Sequence, residues 1–205
     1  MNKNEKPRTV FRRVVALAAL VMTFTPLATR AQNTSQMNLG EMYGRAQRVF
    51  RGTVIAAVPG KVSVGGGELP TVTYRIRVDE SFKGDFQIVK GTRLAEVRML
   101  AMDHPGTMAT SIMAGLVSEI PRLEVGRRYL LLTTKPSAIG LSAPVGLGQG
   151  CFMISGRGNQ EMAVNAHGNR MLFRGMSDAE QQMPNAARSY ERLAEIIRGL
   201  GQSRR

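Results

Sequence analysis

The alternation of apolar and polar positions is cleanest between Thr71 and Asp79, where Val72, Tyr74, Ile76 and Val78 interleave with Thr73, Arg75 and Arg77. A period of two sends successive side chains to opposite faces of a strand, so this segment buries one face and wets the other. Strand-forming residues also run from Val49 to Val58, ended by Pro59-Gly60 and the Gly65-Gly66-Gly67 run, which predicts a strand and then a flexible hairpin connection. Phe82 to Asp85 turns the chain, and Leu94 to Ala101 gives a further strand with Val97 and Met99 on one face and Glu96 and Arg98 on the other. Tyr129 to Thr133, apolar on both faces, reads as a central strand. Cys151 to Ile154, Glu161 to Asn165 and Met171 to Phe173 complete the set of strand candidates.

The two ends follow a different period. Leu39, Met42, Tyr43 and Ala46 recur at helical spacing, although Gly40 and Gly44 weaken that helix. Near the C-terminus Ala187, Tyr190, Leu193, Ala194 and Ile197 share one face, which predicts an amphipathic helix over 186–198, capped by Asn185 and with Gly199 near its end. Residues 102–120 carry Pro105, Gly106 and Gly115 with little alternation and read as a long loop, the kind that is functional or disordered. Short strands with a helix at each end predict a mainly β (α+β) fold. Five or six such strands suggest a small antiparallel barrel, because closing the sheet removes its edges.

The N-terminus changes what the charge means. Lys3, Lys6, Arg8, Arg12 and Arg13 precede an uncharged run from Val14 to Ala28, and Thr29-Arg30-Ala31 offers small residues for cleavage after Ala31. That run is shorter than the roughly 20 residues of a membrane-spanning helix, so residues 1–31 are expected to be a removed export signal. Residues 32–37 then form a linker, 38–175 the barrel, and 176–205 the C-terminal helix and basic tail. The formal charge of +13 falls to +8 for the mature chain, with 22 basic and 14 acidic residues. A basic surface favours anionic partners such as lipid headgroups, acidic glycans or nucleic acid, without choosing among them. Length allows one domain with accessory segments, and with 5% aromatics, no Trp and 13 Met the core must rest on aliphatic residues and Met.

Three blocks carry a family resemblance: Val49-Phe50-Arg51-Gly52-Thr53-Val54; Tyr74-Arg75-Ile76-Arg77-Val78 with Phe82-Lys83-Gly84; and Leu123-Glu124-Val125-Gly126-Arg127-Arg128-Tyr129-Leu130-Leu131. In order and spacing they resemble the netrin-like or TIMP-like domain, an OB-fold barrel, over roughly residues 47 to 155. The resemblance implies a closed five-stranded Greek-key barrel used for binding rather than for chemistry. The metalloproteinase inhibitors of that superfamily use an N-terminal cysteine and disulfides. Here no cysteine precedes Cys151, so that mechanism is not carried over, and the chain looks more like the plain bacterial secreted relatives.

Candidate chemistry is sparse. Cys151 lies in the apolar run Cys151-Phe152-Met153-Ile154 and reads first as a buried small hydrophobe; His167 is the only nearby base for a thiol nucleophile. Met99, Met102, His104, Met108 and Met113 have the soft donors of a Cu(I) site, against the plainer reading of packing residues in a flexible loop, and no metal or cofactor is expected. The glycines of Gly146-Leu147-Gly148-Gln149-Gly150 offer backbone amides to a ligand, although the spacing is not a dinucleotide fingerprint and a tight loop entering a strand is the plainer explanation. Arg75 and Arg77 on one strand face, with Arg98, Lys83, Arg127 and Arg128 as neighbours, form the cationic candidate. The expected role is a secreted or periplasmic, non-catalytic binding module of the cell envelope whose partner is a protein or an acidic glycan. The alternatives are a small thiol- or metal-dependent enzyme and a basic protein in peripheral contact with a membrane, suggested by Arg188, Arg192, Arg198 and Arg204-Arg205. Nucleic acid is disfavoured, since the stacking aromatics of an OB-type nucleic-acid site are missing.

Overall fold

The computed structural model describes residues 36–101, 119–178 and 189–203. The export signal, the Cu(I) candidates other than Met99, the Asn185 cap and the Arg204-Arg205 tail lie outside the described residues. Seven antiparallel strands form one sheet: β1 (Arg48–Val64), β2 (Gly67–Lys83), β3 (Gln87–Val89), β4 (Thr92–Leu100), β5 (Arg128–Thr133), β6 (Cys151–Ser155) and β7 (Met162–Asn165), in the spatial order β3-β4-β2-β1-β5-β6-β7. Two helices, α1 (Leu39–Arg45) and α2 (Tyr190–Gln202), flank it. The mainly β, α+β class is therefore as expected, but the barrel is not five-stranded and the sheet is not closed. No ladder joins β3 to β7.

Local chemistry explains the elements. The α1 helix starts on a capping box: Asn38 Oδ1 accepts from Glu41 N at 2.8 Å, and Glu41 Oε2 accepts from Asn38 N at 3.0 Å. The β1–β2 hairpin turns on Gly65 and Gly66, both at positive φ (60° and 82°), as a two-residue turn with matching twist requires. The β1 strand runs straight through Pro59-Gly60, where the sequence predicted its end. The reason is that β5 pairs only with Arg48 to Thr53, so the missing N–H of Pro59 costs no ladder bond on that side. Met171 to Phe173 forms turns rather than a strand; Leu172 and Phe173 are buried by packing, not by a pleat. The α2 helix begins at Tyr190 and continues past Gly199 to Gln202, and at Gly201 a Cβ would stand 3.0 Å from the Tyr43 hydroxyl.

The sheet separates two cores. On one face Leu130, Leu132, Phe152 and Ile154 pack against Leu39 and Met42 of α1 and Leu193 and Ile197 of α2. On the other, Phe50, Val54, Tyr74, Ile76, Val97, Tyr129, Leu131 and Cys151 form the second cluster. The β5 strand is buried on both faces because it contributes to both, and each fully buried Leu on it contributes about 1.5–3 kcal/mol. The outer edge of β4, where a barrel would need a strand, is met by isolated donors instead. Arg48 NH2 reaches Glu96 O at 2.8 Å, and Ser142 N reaches Arg98 O at 2.8 Å. The loop after β5 thereby folds back against β4 and brings residues 136–142 beside the wet face of β2 and β4.

Candidate functional site

The wet face of β2 and β4 is set by their pairing register. Arg75 stands opposite Glu96, and Thr73 opposite Arg98. Cross-strand neighbours on one face approach to about 5 Å at Cβ, close enough for side chains to pair. Arg75 Nε donates to Glu96 Oε1 at 3.1 Å, and Arg77 Nε donates to Asp79 Oδ1 at 3.0 Å while its NH2 reaches Thr53 Oγ1 at 3.3 Å. Arg98 differs. Its Nε donates to the neutral Thr73 Oγ1 at 3.3 Å, and among the described residues no carboxylate pairs with it.

Arg98 also lines a cleft of about 330 Å³ with Thr73, Glu96, Pro136, Gly140 and Ser142. The first three come from the sheet and the last three from the folded-back loop. That loop is shaped by its own backbone: Gly140 N donates to Ser137 O at 2.9 Å, and Gly140 sits at φ 75°. A buried polar group lies close by on β2: the hydroxyl of Thr71, a residue 1% exposed, has no hydrogen-bond partner among the described residues. A Cβ added to Gly60 would be 3.2 Å from Thr71 Oγ1 and 4.0 Å from Arg98 NH2, so the two groups flank the same spot.

The other cationic candidates are dispersed. Arg127 pairs with Glu124 at 3.2 Å in the turn before β5. Lys83 donates to Tyr43 O at 2.9 Å and lies over the Tyr43 ring, on the helix side of the sheet. Arg128 belongs to a network that no sequence motif announced. Glu161 accepts from both Arg51 (3.0 and 3.1 Å) and Arg128, and Arg51 stacks over the Tyr190 ring at 4.5 Å. Tyr190 donates to Glu80 Oε2 at 2.5 Å, and Arg198 NH2 donates to Glu80 Oε1 at 2.7 Å. Burial would raise the Glu80 carboxyl, but the hydrogen bonds from Tyr190 and Arg198 outweigh it and hold it below the ordinary range. Burial, and then Glu80, push the Tyr190 phenol up. This network clamps α2 to β1, β2, β5 and Glu161, the residue just before β7. Its hydrogen-bonded partners lie between 33 and 118 residues apart in sequence, and only the fold unites them.

The glycine loop is spent on the fold. Gly148, Gln149 and Gly150 are buried in a short 3-10 turn, and a Cβ on Gly150 would meet Val145 O at 2.6 Å. Gln149 Oε1 accepts from Met37 N at 2.8 Å, and Gln149 O accepts from Asn165 Nδ2 at 3.0 Å. Gly146 occupies the left-handed region at φ 61°, and its amide-rich successor segment returns Gly150 N to Val145 O at 2.9 Å. Cys151 is buried in the second core, where desolvation pushes its thiol up to about 12. Met99 is a core residue of the same cluster. Among the described residues no hydrogen bond joins Cys151 to His167, no group of three His, Cys, Asp or Glu side chains is placed to hold a metal, and no helix is long and apolar enough to cross a membrane. The chain matches no protein-family model, and no curated protein matches it.

Proposed function

We propose that the protein is an exported, non-catalytic binding module of the cell envelope that engages an acidic partner through the outer face of β2 and β4. The observation that carries this reading is Arg98: a guanidinium without a carboxylate, on the wall of a cleft, on a face where the neighbouring arginines Arg75 and Arg77 are both neutralised. With Nε engaged by Thr73, the terminal nitrogens of Arg98 remain to donate to an incoming anion. Export is supported by the basic leader and the apolar run that follows it. A binding role also agrees with the netrin-like resemblance, whose three blocks fall on β1, on β2, and on the turn leading into β5. The thiol-enzyme reading loses support, since burial in the second core pushes the Cys151 thiol up and away from the thiolate that a nucleophile needs at neutral pH.

The test is co-sedimentation of the exported chain with a washed envelope fraction, comparing wild type with Arg98→Gln at low and at physiological salt. The reading expects salt-sensitive binding that Arg98→Gln reduces while the charge-matched Arg157→Gln does not. Equal loss for both variants would reduce the interaction to net charge and overturn the assignment of the face.

A further inference from the structure

The lining of the Arg98 cleft says more about its ligand than that it is acidic. Arg98 offers a planar donor fork, which matches the two oxygens of a carboxylate. Glu96 enters the same cleft with one oxygen held by Arg75 at 3.1 Å and the other free to accept from a hydroxyl. Its negative charge disfavours a doubly charged phosphate and tolerates a single carboxylate. The hydroxyls of Thr73 and Ser142 add groups that both donate and accept, whereas a peptide terminus would need an apolar seat for its last side chain and the lining supplies only Pro136. A volume of about 330 Å³ sits at the small end of ligand clefts and suits one saccharide unit.

From this set we infer that the cleft binds a uronic acid unit of an acidic glycan, its carboxylate on Arg98 and its ring hydroxyls on Glu96, Thr73 and Ser142. The inference rests on the binding-module reading above and narrows it to one ligand class.

The experiment is a titration of the isotope-labelled exported chain, followed by amide chemical shifts, with three probes: tetragalacturonate, its methyl ester and tetraglutamate. Tetragalacturonate should shift the amides of Thr73, Glu96, Arg98, Gly140 and Ser142 saturably, and the ester should not. Loss of one charge-assisted contact in Arg98→Gln should weaken binding by about tenfold to a hundredfold. Arg98→Lys keeps the charge but loses the fork, should weaken it less, and guards against a folding artefact. Tetraglutamate binding at the same amides, equally or more tightly, would overturn the uronate assignment and leave the binding face standing. If no probe moves these amides, or if Arg98→Gln binds as well as wild type while melting normally, both the assignment and the binding face fall.

Discussion

Replacing Glu161 by Gln tests the clamp that holds α2 on the sheet. The carboxylate is 11% exposed and is shared by Arg51 (20%) and Arg128 (29%), so the substitution leaves two half-buried guanidinium groups facing a neutral amide. Breaking a fully buried pair costs about 3–5 kcal/mol, and an exposed pair contributes about 0–1 kcal/mol. The arginines lie between those limits, which places the cost at about 2–3 kcal/mol. For a chain of this size that is a fall in melting temperature of roughly 4–12 °C. Circular dichroism melts at neutral pH would measure it, with Arg75→Gln as the control. The Arg75–Glu96 pair is about half exposed on both sides and should change stability by less than about 0.5 kcal/mol. A Glu161→Gln melt within about 2 °C of wild type would refute the argument that this node carries the helix.

Other consequences follow from the same contacts. Gly150→Ala should cost more than about 2 kcal/mol in urea unfolding, because its Cβ meets backbone at 2.6 and 2.9 Å, whereas Gly158→Ala, with nothing nearby, should cost only about 1 kcal/mol for its positive φ. Cys151 should resist a thiol-specific reagent at pH 8 until the chain is unfolded, then react at once; reaction in the folded protein would contradict its burial. Tyr190 is raised in the folded state, so its contribution should be complete below its unfolded value of about pH 10 and be lost as pH rises above it. Glu80 is lowered, so its contribution should be complete above about pH 4.3 and be lost as pH falls through its folded value. A melting profile should therefore be flat between those limits, and Tyr190→Phe should remove the part of the alkaline decline that belongs to this phenol.

Some of this architecture is legible in the sequence because its cause is local. Val72 to Val78 alternates because one face meets the second core, β5 is apolar throughout because both faces are covered, and Leu39, Met42, Tyr43 and Ala46 recur at helical spacing because one face of α1 is buried. What the sequence hid depends on partners. The β3 strand is three exposed residues paired only to the start of β4, so it leaves no hydrophobic period to read. Pro59 looked like a strand end because nothing in one dimension reveals that β5 stops short of it. The open sheet was missed for a related reason: single donors from Arg48 and Ser142 meet the edge carbonyls that closure would otherwise have to pair.

The candidate site divides in the same way. Arg75, Arg77 and Arg98 could be named from alternation, but which of them keeps a free fork is decided by cross-strand register and by a loop returning from beyond β5. The glycine loop looked equally open in sequence, and only packing shows that Gly148 and Gly150 are small because chain crowds them. The Glu161 network gave no signal, since its acids, bases and phenol come from β1, β2, β5, the residue before β7 and α2 without any short spacing.

In the proposed binding mode, ligand meets the outer face of β2 and β4 rather than the glycine loop or the thiol. Hydrogen-deuterium exchange of the exported chain with and without envelope glycan tests it directly. Added protection is expected over Thr71 to Arg77, Glu96 to Leu100 and Pro136 to Ser142, with Gly146 to Cys151 unchanged. Protection confined to Gly146 to Cys151, or none on the β2 and β4 segments, would contradict it.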